Sequence, residues 1–400
     1  MAFLARTSTK NAYTMKLFNT FFIGGYECAD MINNRRSRVD LLHLTGHDER
    51  VEEDYQLLIA AGMRTVREGI RWSVVEKKPF VYDFSEVKAR IGAAQKQGVQ
   101  QLWDICHFGY PEGLSPLHPQ FTERFTAVCR AFTEQYRLCT EEPLIVTPIN
   151  EISFLSFLGG DVAGTVPFLR RSAASVKYRL CHAAIKGIAA IREIDPEAKI
   201  LMVEPLIRIH AKEGRKITKR IREYNEGQFE AMDMVTGRLH PELGGKPEYM
   251  DVAGFNYYYQ NQWEHRGRVL CWKAERERQD FVGWLKAAAD RYGKPVVLSE
   301  TGHFKEERGL WMQQITDDCL AALQRSVNLQ GICIYPVLDR PDWDHLTYIN
   351  CGIWGYDEKT KQRFVEKEYL DTVQICMAKM QDYLNQNMQA LYPLPSSLVA

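Results

Sequence analysis

The chain has 400 residues, 45% of them hydrophobic and 26% charged, which is enough to bury a large core and excludes a disordered chain. Its 51 basic and 51 acidic side chains cancel, so it carries no electrostatic footprint for nucleic acid or an anionic membrane, and a neutral ligand suits that balance. No run approaches the roughly 20 apolar residues of a transmembrane helix, and the first 16 residues lack the apolar stretch of a secretory signal, so the expectation is a soluble, cytoplasmic protein with no membrane partner.

Residues 1–19 read as an N-terminal extension. A β-rich run at 20–26 (TFFIGGY) is followed by a helical stretch at 49–63, and the run at 64–70 (RTVREGI) by a helix that starts at Asp83, with Glu86 three residues on as in a capping box, and ends near Gly98. Runs at 101–107 (QLWDICH) and 144–149 (LIVTPI) precede helical periodicity at 119–137 and 168–194. After the fifth run, 199–204 (KILMVE), the stretch 207–249 reads as a long, mostly non-helical loop or small subdomain. The runs at 251–257 (DVAGFNY), 295–299 (PVVLS) and 331–337 (GICIYPV) alternate with helices at 273–292, 311–328 and 366–389, and 391–400 form a tail. Eight strand–helix units in one chain without a Pro/Ser/Gly-rich linker predict an α/β fold, a single-domain (β/α)8 TIM barrel over residues 20–390.

On such a barrel, chemistry sits where the strands end. Those ends carry Tyr26 and Glu27; Arg67, Arg71 and Trp72; His107 and Phe108; Asn150 and Glu151; Glu204; Asn256, Tyr257 and Tyr258; Glu300; Asp339, Asp342 and Trp343. Carboxylates, amides, a guanidinium and aromatic faces together suit a carbohydrate or glycoside ligand. Glycosidic cleavage needs two carboxyl groups, and Glu151 and Glu300 end the fourth and seventh strands, which face each other across the mouth. An ionised Glu300 beside Arg67 would keep Glu151 protonated. The ten cysteines form no C-x-x-C pair and the histidines no H-E-x-x-H, so neither a metal nor a cofactor is expected. The pair Asn225-Glu226 follows the basic KITKRIREY and reads as a solvated helix end.

These motifs resemble those of the family 1 glycoside hydrolases, the retaining β-glucosidase and β-galactosidase type. TPINE (147–151) is similar to the family's TFNEP and LSETG (298–302) to its I/VTENG segment; HFGYPEGL (107–114) is similar to HWDLPQAL, REGIRWS (67–73) to RFSISWS, DVAGFNYY (251–258) to DFIGINYY, and YPVLDRPDW (335–343) to WSLLDNFEW. The matches run in order from about residue 21 to 357. The resemblance implies Glu151 as acid/base and Glu300 as nucleophile, with Arg67 and Tyr258 orienting Glu300. It implies His107 and Asn150 on hydroxyls of the cleaved sugar, Asp342 and Trp343 on its outer hydroxyls and ring, and Glu27 where the family has glutamine. Glu27, Tyr335, Arg340, Pro341 and Asp342 depart from the pattern, all in the sugar-binding shell. The expected function is therefore a retaining β-glycosidase, hydrolysing or transferring a β-linked glycosyl unit, with its sugar unassigned. The alternative is a catalytically silent sugar-binding barrel. A barrel enzyme for phosphorylated metabolites is disfavoured by the acidic eighth-strand loop DRPDWDHL. Oligomeric state has no signal in the sequence.

Overall fold

The computed structural model of the chain describes residues 17–273, 281–357, 359–360 and 362–391. Eight parallel strands close into a barrel: β1 (Phe22–Gly25), β2 (Thr65–Gly69), β3 (Gln100–Cys106), β4 (Ile145–Ile149), β5 (Lys199–Pro205), β6 (Val252–Asn256), β7 (Val296–Thr301) and β8 (Leu329–Ile334). Each strand pairs with its neighbours in sequence, and β1 closes on β8 with Phe22 opposite Ile332. Around them run α1 (His47–Ala60), α2 (Ser85–Gln97), α3 (Phe121–Cys139), α4 (Ala173–Ile194), α5 (Glu230–Val235), α6 (Phe281–Tyr292), α7 (Glu307–Gln324) and α8 (Lys367–Leu391). The expected (β/α)8 alternation is thus the architecture, because each apolar run is too short for anything but a strand and each is followed by a stretch with one apolar face. No described helix is long and apolar enough to cross a membrane.

The pleat sends alternate side chains to opposite sides of each strand, and so makes two cores. Inside the barrel, Ile23, Leu102, Ile145, Leu201, Val252 and Val297 pack with Cys333 and Tyr335, and Leu17 and Phe18 close the floor. Phe18 is therefore part of the packed interior, although the sequence reads it as extension. Residues 1–16, 274–280 and 392–400, which hold the rest of that extension, the start of the expected 273–292 helix and most of the tail, lie outside the described residues. Outside the barrel a larger core lies between strands and helices.

Two local expectations are corrected. Asp83 does not cap α2 as a box; its Oδ1 accepts from the Ser85 backbone and hydroxyl, while Glu86 pairs with Arg71. The 207–249 stretch is not mainly loop: it holds a short strand, Arg208–His210, paired in parallel with Gln262–Glu264, a helix at Lys219–Gly227, and α5. Asn225 is buried there, its amide bonding both the N–H and the C=O of Ile209.

Arg67 and Glu68 show the alternation most sharply. Arg67 points into the barrel, whereas Glu68 faces outward into a buried polar network between sheet and helices. Glu68 accepts from His47 Nε2 at 2.9 Å, Tyr55 at 2.7 Å and Arg90 at 2.8 Å, and His47 Nδ1 meets Asp54, which Arg363 grips at 2.8 and 2.9 Å. Burial alone would raise the Glu68 pKa, but the charges of His47 and Arg90 hold it at about 2. A carboxyl group depressed on folding stabilises above its unfolded pKa, and the gain disappears as pH falls toward the folded value. Glu68→Gln is therefore expected to lose roughly 3 kcal/mol of stability at pH 7. Urea unfolding of both proteins should show the gap closing between about pH 4.5 and pH 2.

Candidate active site

Glu151 stands just past β4, in the left-handed region at φ 48° and ψ 57°, and heads the helix Ile152–Gly160. A non-glycine residue holds that conformation only when its surroundings enforce it. Here its N–H is fixed to Val203 O at 3.1 Å, and Glu204 beyond accepts the Ser153 N–H on both oxygens at 3.2 and 3.1 Å. The Glu151 carboxyl receives Asn256 Nδ2 at 2.9 Å, the amide being oriented by Ser299 Oγ donating to its oxygen at 2.7 Å. Burial first, and the charge of Glu300 second, push Glu151 up to about 8; Asn256 opposes the shift. Burial likewise raises Glu204 to about 7 against the Ser153 hydrogen bonds.

Glu300 lies on β7 at a register shift between Leu298 and Glu300, opposite Asn256 of β6. Such a bulge re-aims a side chain. Its Oε1 accepts from Arg67 Nη1 at 2.6 Å and its Oε2 from the Tyr258 hydroxyl at 2.8 Å. All five N–H groups of Arg67 are used: besides Glu300 they reach Ser299 O at 3.0 Å, Asp104 at 3.2 and 2.7 Å, and Asn150 Oδ1 at 2.8 Å. Because an arginine can only donate, it fixes the Asn150 oxygen, so Nδ2 faces His107 Nε2 at 3.1 Å. That makes Nε2 an acceptor and places the proton on Nδ1, 2.9 Å from Asp104. Burial alone would raise Asp104; Arg67 and His107 outweigh it and lower its pKa.

Glu27 closes the far side. Its carboxylate is 3.1 Å from Arg340 Nε, 3.3 Å from the Tyr335 hydroxyl and 3.7 Å from His107 Nε2. Glu27, Arg67, His107, Asn150, Glu151, Tyr258 and Glu300 thus form one contiguous cluster. Trp343 adjoins it through Phe108, at 5.5 Å between ring centroids, and through Arg340, and its buried indole N–H has no partner among the described residues. Asp342 is not drawn in: its carboxylate accepts the backbone N–H groups of Asp344, His345 and Thr347 and so shapes its own loop. Arg71 braces Asp40 and Asp48 outside the cluster, and His303 sits among Tyr259, Trp272 and Trp311.

The structure adds Asp104 to the residues read from the sequence and joins Asn256, Tyr335 and Arg340 to the cluster. Asp104 had a signal, an acid between Trp103 and Ile105 of β3. Among the described residues, donor atoms of Cys28, Asp104 and His107 lie within 4.8 Å of one another, as in a metal group. Both Asp104 oxygens are already engaged by Arg67, however, and a cation there would face that guanidinium, so the trio reads as a hydrogen-bonded brace.

No protein-family model matches the chain, and no curated protein does. Solved structures do. A family 1 β-glucosidase from Thermotoga maritima is 18% identical, with 84% of this chain and 87% of that chain covered at a TM-score of 0.68. The β-glucosidase from Thermotoga maritima in complex with deoxynojirimycin is 16% identical over 91% and 99%, with a TM-score of 0.72, and its complex with glucoimidazole 15% identical over 91% and 98%, with a TM-score of 0.69. The chain has the (β/α)8-barrel fold of these family 1 β-glucosidase structures.

Proposed function

We propose that the protein is a retaining β-glycosidase, hydrolysing or transferring a β-linked glycosyl unit, with Glu300 as nucleophile and Glu151 as general acid/base. The observation that carries this reading is the unequal setting of two glutamates at one barrel mouth: Glu300 is clamped by Arg67 and Tyr258, while Glu151 is buried, pushed to about 8 and electrostatically tied to Glu300. Glu300 attacks the anomeric carbon as Glu151 protonates the departing oxygen. The glycosyl ester then removes the Glu300 charge, the second cause of the raised Glu151 pKa after burial, so that Glu151 can take a proton from the incoming water or sugar hydroxyl. His107 and Asn150 face the hydroxyls of the cleaved sugar, and Glu27 and Trp343 its outer edge. The structural neighbours solved with deoxynojirimycin and glucoimidazole support a sugar-shaped ligand. Two carboxyl groups suffice for the chemistry without a cofactor. A cytoplasmic location fits thiols such as Cys28, Cys106, Cys129 and Cys181, which form no disulfide among the described residues, since a reducing compartment keeps them so.

NMR of the first-formed product anomer from a panel of aryl β-glycosides tests this: a β-product supports retention and an α-product overturns it. Glu151→Ala is expected to spare dinitrophenyl glycosides, whose leaving group needs no proton, while slowing poor leaving groups by about 10²–10⁴-fold. Because Glu151 must be protonated to act, kcat/KM for poor leaving groups should fall as pH rises through about 8. An equal loss on both substrate classes would remove Glu151 from that role.

A further inference from the structure

Beside the catalytic cluster a second cleft opens on the same face, about 230 Å³ in volume, between the loops that follow β1, β3 and β4. Its walls are chiefly aromatic and apolar, with Phe108, Tyr110, Leu114, Pro167 and Phe168 among them, and Arg38 is the one charged residue lining it. The three lining segments, 32–38, 108–115 and 165–171, hold five arginines (Arg35, Arg36, Arg38, Arg170 and Arg171) against one acid, Glu112. None of the five forms an ion pair among the described residues. Arg38 is held by backbone carbonyls, Asp30 O at 2.5 Å and Tyr110 O at 2.9 Å, which fix its guanidinium, and the charge of the buried Asp30 carboxyl also acts on it. Arg36 lies 3.6 Å over the Phe168 ring. Phe108 and Phe168, which line the cleft, and Arg36 over the Phe168 ring are non-glycine residues in the left-handed region. Strain of that kind gathers at ligand sites, where the surrounding structure enforces it.

We propose that this cleft binds a small aromatic anion, its ring against Phe108 and Phe168 and its charged group against Arg38 and Arg36. Phe108 forms the partition: its ring is 4.8 Å from His107 and 5.5 Å from Trp343 on one side and lines the cleft on the other. The ligand therefore sits one side chain away from the sugar-facing residues. Arg36, with no ion pair among the described residues, and the fixed guanidinium of Arg38 supply the anion preference, and stacking supplies the aromatic one.

Binding here does not require glycoside turnover, so calorimetric titration of the full chain at low salt tests it directly. The probes are 2-naphthoate, its neutral analogue 2-naphthamide, and inorganic phosphate. Naphthoate is expected to bind at one site, naphthamide at least about tenfold more weakly, since a hydrogen bond to a charged group is lost, and phosphate more weakly still. Arg36→Gln, a change at an exposed loop position, should weaken naphthoate by about tenfold while circular dichroism remains that of the parent. Phe168→Ala should weaken it as well. Equal binding of naphthoate and naphthamide, phosphate binding as tight as naphthoate, unchanged affinity in Arg36→Gln, or no naphthoate heat up to millimolar concentration would each overturn the assignment.

Discussion

Glu300→Ala should reduce turnover of aryl β-glycosides by about 10⁴-fold, because a nucleophile removed from a double displacement leaves no covalent route. The cavity left by the missing carboxylate is bounded by Arg67 Nη1 and the Tyr258 hydroxyl, which donated to it at 2.6 and 2.8 Å. Two donors without their acceptor form a ready anion site, so azide should enter and attack the anomeric carbon in a single displacement. Activity on a dinitrophenyl glycoside is then restored with an α-glycosyl azide as product. Turnover close to that of the parent enzyme, without azide, would contradict the assignment of Glu300.

Arg67→Met should cost about 3–5 kcal/mol of stability, the scale seen when one partner of a buried ion pair is removed. The loss is large because the guanidinium serves two acids at once: Asp104 is fully buried and Glu300 nearly so, and methionine fills the volume without the charge. The Asn150 amide, held by Arg67 on one side and His107 on the other, also loses its orientation. Chemical unfolding monitored by tryptophan fluorescence measures the loss directly. Arg67→Lys should recover only part of it, since three rotatable donors on a point charge cannot reach Asp104, Glu300, Ser299 and Asn150 together. A variant as stable as the parent would show that the two carboxyl groups tolerate the interior unaided.

The barrel was legible because strand and helix periodicities alternate cleanly along the chain. All eight expected runs overlap the eight barrel strands, and the ends of those strands name most of the cluster. Less legible were contacts that depend on which way a side chain leaves its backbone. The carboxyl group of Asp342 looks identical in sequence to a ligand for sugar, yet a turn of five residues offers it three N–H groups and captures it locally. Arg340 is legible in the sequence only as a departure from the family pattern, and it takes the hairpin that pairs Arg340–Pro341 with Tyr348–Ile349 to bring it to Glu27. The 207–249 region misled for another reason: its helices are short, and Lys219–Gly227 offers only Ile221 and Tyr224 as large apolar residues, too few to mark a helix by its apolar positions.

Leu17 and Phe18 pack among the side chains that fill the strand interior, so the barrel is a plugged core and not a pore, and on the proposed reading a sugar reaches Glu151 and Glu300 only from the loop face.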